Sequence, residues 1–220
     1  MENIRWFGHA SFAVTDSITN NKIYFIDPFE LPESNSDKAD LIFITHAHHD
    51  HLSLGDIDHI LKPETTVIAT PDSLSELKIP DGQKFPVGPD NFYTVKSVPF
   101  ETVPAYNIVP ERLNFHPRAN NWVGYIITVN NQKIYHSGDT DFVPEMKELA
   151  SKNLDVAMIP IGGTYTMDVF EAIEAANAIA AKITIPMHYR RLLGDKYQES
   201  EQKLKQGVTS SKVIILEEVR

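Results

Sequence analysis

Short apolar runs broken by turn-forming residues open the chain, and longer runs with helical spacing follow. Ile4–Phe7, Ser11–Val14 and Lys22–Ile26 read as the strands of a meander, with Thr19-Asn20-Asn21 as turn chemistry between the last two. Leu41–Thr45 is almost wholly apolar, as a strand buried on both faces should be. Leu54, Ile57, Ile60 and Leu61 then recur at helical spacing, and Ser53 stands where an N-cap belongs. Thr66–Ala69 is a further buried strand, and Asp72–Leu77 a short helix behind Pro71. Residues 82–106 alternate in the manner of edge strands.

The second half follows the same plan. Strands are expected at Val123–Val129, Lys133–His136, Asp155–Ile159, Ile183–Pro186 and Lys212–Leu216. Helices are expected at Pro144–Ser151, at the Ala-rich amphipathic stretch Asp168–Ala181, and at Tyr197–Gln206. Two β-rich halves, each closing with strand–helix units, predict an α+β chain. Its expected form is two mixed sheets packed face to face with helices outside, in one domain over 1–220.

Composition narrows the function. With 220 residues, 42% hydrophobic and 23% charged, the chain can bury a core without disulfides. It has no cysteine, so strong metal ligands must come from His, Asp and Glu. A formal charge of −10 disfavours extended nucleic-acid binding. No secretory signal and no apolar run long enough to span a bilayer is visible, which fits a cytoplasmic protein.

Thr45-His46-Ala47-His48-His49-Asp50-His51 packs four imidazoles and a carboxylate into seven residues at the end of a buried strand. Alternation along an extended segment puts His46 and His48 on one side. Asp50 and His51 follow where the chain turns toward a helix, so they can reach a second point nearby. Neighbouring sites ~3.5–4 Å apart are the geometry of two-metal hydrolases.

His46-x-His48-x-Asp50-His51 resembles the His-x-His-x-Asp-His signature of the metallo-β-lactamase superfamily. Later landmarks come in that family's order: Asn114-Phe115-His116-Pro117, Ser137-Gly138-Asp139-Thr140 and Pro186-Met187-His188-Tyr189. Trp6-Phe7-Gly8-His9-Ala10-Ser11, Ile26-Asp27-Pro28 and Gly162–Met167 are most similar to one branch. That branch includes L-ascorbate-6-phosphate lactonase-like and N-acyl-phosphatidylethanolamine phospholipase D-like hydrolases. The resemblance covers essentially the whole chain. It implies that His46, His48 and His116 hold one metal, that Asp50, His51 and His188 hold a second, and that Asp139 bridges them. Two divalent ions are therefore expected, zinc first, with manganese, iron or nickel compatible.

A hydroxide bridging the two ions would attack a small ester, lactone or phosphodiester, with Asp50 and His9 as catalytic candidates. One alternative is a phosphodiesterase acting on lipid-like or nucleotide-derived diesters. Another, of a different class, is a non-catalytic metal-binding or ligand-sensing protein. Thiolate-ligated β-lactamase chemistry is disfavoured by the absence of cysteine, and flavodiiron chemistry by His48 where that group has Glu.

Other residues keep two readings. His9 either contacts substrate or supports the site. Asp27 is either a partner for a ligand histidine or a turn carboxylate, and His136 either supports the site or packs. Tyr165 and Met167 line the pocket or pack in the core, while His49 and His59 read as surface residues. Tyr106, Asn107, Arg112 and Arg118 surround His116 in sequence, and Arg190 and Arg191 follow His188. These arginines either meet a phosphorylated or carboxylated small-molecule substrate or are solvated. A homo-oligomer stays compatible with the sequence.

Overall fold

The computed structural model describes residues 3–18 and 22–220. The turn expected at Thr19-Asn20-Asn21 lies outside them. The chain divides into two compact units: Met1–Gly88 with Leu216–Arg220, and Pro89–Ile215.

The first unit holds a six-stranded sheet in the order β1-β2-β3-β4-β5-β6. These strands are Ile4–Trp6, Phe12–Asp16, Lys22–Ile26, Leu41–Phe43, Thr66–Ala69 and Lys84–Pro86. β1, β2 and β3 pair antiparallel, and β3 to β6 run parallel. All three residues of β4 are buried, as its apolar run predicts. β4 stops two residues short of the expected Thr45, although the Ile44 N–H still reaches the Ile68 carbonyl at 2.9 Å. Helices α1 (Leu54–Ile60) and α2 (Pro71–Glu76) connect the parallel strands. The Ser53 side chain caps α1 by accepting from the Asp56 N–H. Phe7, Phe25, Ile42, Ile57, Ile60 and Val67 pack in one buried core. At the sheet's edge, Trp6 bridges to Glu218, and the Val219 N–H donates to the Trp6 carbonyl at 2.8 Å.

The second unit holds a seven-stranded sheet in the order β13-β12-β11-β10-β9-β8-β7. The strands are β7 Phe92–Val95, β8 Val98–Pro104, β9 Val123–Val129, β10 Gln132–His136, β11 Val156–Pro160, β12 Ile183–Met187 and β13 Lys212–Val213. β7 to β10 pair antiparallel and β10 to β13 run parallel. β6 and β7 are edges, as residues 82–106 suggested. β8 is not: it sits between β7 and β9, and its alternation reflects one half-buried face.

Helices α3 (Glu145–Glu148), α4 (Val169–Ile179), α5 (Arg190–Leu193) and α6 (Tyr197–Gly207) complete this unit. The helix expected over Pro144–Ser151 is α-helical only through Glu148 and continues as a 3-10 turn over Leu149–Lys152. The strand expected at Lys212–Leu216 keeps only two residues. Ala172, Ala175, Ala176 and Ile179 form the buried stripe of α4. Its start is a capping box: the Asp168 carboxylate accepts from the Phe170 and Glu171 N–H groups, and Glu171 accepts from the Asp168 N–H at 2.8 Å. Among the described residues, no helix is long and apolar enough to cross a membrane.

Candidate metal centre

Parallel pairing delivers the chemistry of each unit to the carboxyl ends of its strands, where open α/β sheets bind ligands. In the first unit the Asp27 N–H donates to the Phe43 carbonyl at 2.9 Å, which sets Asp27 beside the segment that follows β4. Asp27 is fully buried. Its Oδ1 accepts from the Thr45 N–H at 2.8 Å, and its Oδ2 from the Thr45 hydroxyl at 2.7 Å and from His51 Nδ1 at 2.7 Å. The same Thr45 hydroxyl stands 2.9 Å from His46 Nδ1 and accepts from it. One carboxylate therefore orients His51 directly and His46 through Thr45. Binding each Nδ1 to a protein acceptor leaves Nε2 as the nitrogen that could coordinate a metal, the usual support for a ligand histidine.

His46 Nε2 lies 3.1 Å from His48 Nδ1. Two nitrogens bound to one zinc at tetrahedral angles stand roughly 3.3 Å apart, so this pair fits a shared cation. His9, Asp50 and His51 each offer an atom within 4.8 Å of the others. His9 Nε2 meets Asp50 Oδ2 at 2.9 Å. His49 turns the other way, its side chain 91% exposed. His59 sits on α1 with Nε2 donating to the Asn35 carbonyl at 2.7 Å, away from the cluster.

The second unit gathers the remaining ligand candidates. Asp139 follows β10, and His188 follows β12. Asp139 Oδ2 stands 3.1 Å from His188 Nε2 and 3.4 Å from His116 Nε2, and all three residues are buried. His116 is fixed by Asn107, whose Oδ1 accepts from the His116 backbone N–H at 3.0 Å and from its Nδ1 at 2.8 Å. Asn107 is fixed in turn by Asp141, which accepts from its side-chain amide at 3.0 Å. Asp141 also accepts from the Ile108 and Val109 N–H groups and pairs with Arg112 Nε at 2.9 Å. His136 is fully buried and accepts from the Gly138 N–H at 3.2 Å, which braces the turn carrying Asp139.

The backbone is strained at the same places. His9, Asp27 and His188 all take positive φ, at 48°, 45° and 55°, a region L-residues rarely occupy. Gly162 carries a matching constraint, because a Cβ there would run into the His188 carbonyl oxygen.

The residues considered for anion binding have other engagements. Arg112 is buried and bonds Glu171, Asp141 and the Thr166 carbonyl. Arg118 pairs with Glu145 at 3.0 Å and lies over the Tyr106 ring, and the Tyr106 hydroxyl also donates to Glu145. Arg190 meets Glu201 at 3.1 Å and the Tyr197 ring at 5.2 Å. Met167 is fully buried, whereas Tyr165 is 39% exposed against Phe115. The sequence placed Asn107 in the loop around His116 without this orienting role, and Asp141 was missed. The only signal for Asp141 was a second carboxylate two residues beyond Asp139.

A family model described as the Beta-lactamase superfamily domain matches residues 3–188. A metal-dependent hydrolase of Alkaliphilus metalliredigens is 34% identical over 225 residues, covering 97% of this chain and 96% of that protein. A metal-dependent hydrolase of Thermoplasma acidophilum is 33% identical over 202 residues, 86% of this chain and 84% of that one. The crystal structure of a Parabacteroides distasonis protein, 35% identical, superposes with a TM-score of 0.82 over 96% of this chain and 91% of that one.

Proposed function

The chain belongs to the β-lactamase superfamily and is a metal-dependent hydrolase, and we propose that it opens a small ester, lactone or phosphodiester with two divalent ions. Its fold is the α+β metallo-β-lactamase fold, two mixed sheets with helices. In this proposal His46, His48 and His116 would hold one ion, Asp50, His51 and His188 would hold the other, and Asp139 would serve both. Zinc suits the imidazole-rich set, and manganese, iron and nickel are compatible with it. Bound there, the ions would bring the pKa of a water near neutrality and so supply hydroxide at pH 7.

The chain's own groups do the rest. Asp50 is assigned to orient the attacking water and accept its proton, with His9 Nε2 at 2.9 Å as the next carrier. Asp27 and Asn107 hold His51, His46 and His116 at fixed angles, so little reorientation accompanies coordination.

Asp139 carries the proposal. A buried carboxylate oxygen facing the Nε2 atoms of two buried histidines is an expensive arrangement in low dielectric, and a shared cation relieves it. Elemental analysis of untagged protein should find about two transition-metal ions per chain. Hydrolysis of bis(p-nitrophenyl) phosphate or of a lactone panel should be lost on chelation. Asp139→Ala should lose one ion and most turnover; full occupancy in that variant would overturn the ligand assignment. Two ions with no turnover on any substrate would favour a sensing role instead.

A further inference from the structure

An apolar surface flanks His116 in the second unit. The loop 107–116 is closed at its base by the Asn107 N–H donating to the His116 carbonyl at 2.8 Å and by the Asn107 side chain on His116. It is pinned from within by Arg112, which is 7% exposed. Yet Ile108, Leu113 and Phe115 on this loop are 46%, 46% and 37% exposed. Phe115 meets Tyr165 edge to face, ring centroids 4.8 Å apart. The Tyr165 carbonyl accepts from the Asn107 side-chain amide at 3.1 Å. Phe115 is thus joined to His116 directly by the peptide bond, and the Tyr165 backbone is held by one hydrogen bond from the Asn107 amide that orients His116. A braced loop that holds two aromatic rings in solvent beside a ligand histidine has the character of a preformed recognition wall.

A charged wall would draw on Arg112, Arg118, Arg190 and Arg191, and the first three each already face a carboxylate of this unit.

We propose that Phe115 and Tyr165 form the specificity wall of the hydrolase and receive an uncharged apolar acyl group of its substrate, making that substrate an apolar ester or lactone. This deepens the hydrolase assignment above and rests on it. Stacking on a wall exposed on one side should raise kcat/KM about two- to fourfold for each methylene added.

The test pairs turnover with binding. Metal-loaded protein is assayed on p-nitrophenyl acetate, butyrate and hexanoate, and on a carboxylated ester of similar length. Binding of hexanamide to the same protein is followed by saturation-transfer NMR. Phe115→Ala with Tyr165→Ala should cut hexanoate turnover about tenfold through KM and weaken hexanamide binding. Acetate turnover should fall far less than hexanoate turnover, Tm should hold, and Tyr165→Phe should keep the chain-length preference. Equal losses on acetate and hexanoate, no hexanamide binding by the parent, or a preference for the carboxylated ester would overturn the proposal. Hexanamide binding that depends on the two rings, without turnover of any ester or diester, would sink the hydrolase assignment and leave the wall standing. If the double variant does not fold, Tyr165→Ser alone, at a position 39% exposed, gives the same comparison.

Discussion

At Asp27, one buried side chain has two tasks, holding the backbone of Thr45 and setting the angle of His51. Asp27→Ala should therefore cost roughly 3 kcal/mol in urea unfolding, because buried donors lose their acceptor. The same variant should weaken metal affinity by about 10- to 100-fold in competition with a chelator. Asp27→Ala with undiminished affinity would show that metal binding does not need it. His49→Ala is the contrast. Its side chain is 91% exposed, so stability should move by no more than about 0.5 kcal/mol, and turnover should not change. The cluster from His46 to His51 was legible in the sequence because its geometry is local. Asn107 and Asp141 were not, since their bond joins residues 34 positions apart. Nothing short of the folded loop tells an amide that orients a histidine from one that meets substrate.

Among elements, β3, β5 and β9 match the sequence expectation to the residue, since each is a dense apolar run with turn-forming residue types beside it in the sequence. The misses lie where backbone pairing ends before hydrophobicity does, as in β13, or where a helix tightens into a 3-10 turn, as after Glu148. The first turn of α4 makes its own prediction. Burial raises the Glu171 pKa, but hydrogen bonds from Arg112 and the Asp168 N–H outweigh it and hold the carboxyl below its usual range. A depressed acid stabilises the fold above its unfolded pKa and loses that contribution as pH falls through its folded value. Thermal melts from about pH 7 down to about pH 3 should show Tm falling less steeply in Glu171→Gln than in the parent, from a lower neutral-pH value. Parallel curves would mean that the Arg112–Glu171 pair does not brace the loop base.

Over the whole molecule, both units run the same programme, an antiparallel meander followed by parallel strands, most of them joined through helices. That repetition was visible in the order of apolar runs, although no residue-level repeat accompanies it. No pattern of apolar runs marks the interleaving of the two units along the chain: residues 216–220 belong with the first 88, and 89–215 lie between. The pairing of Trp6 with Glu218 and Val219 therefore sets an order on biosynthesis. At ribosomal rates of about 5–20 residues per second, the 127 residues from 89 to 215 keep that edge waiting for roughly 6–25 s. During that interval the nascent β1 edge is open to any extended segment that meets it, and residues 216–220 are the ones that shut it.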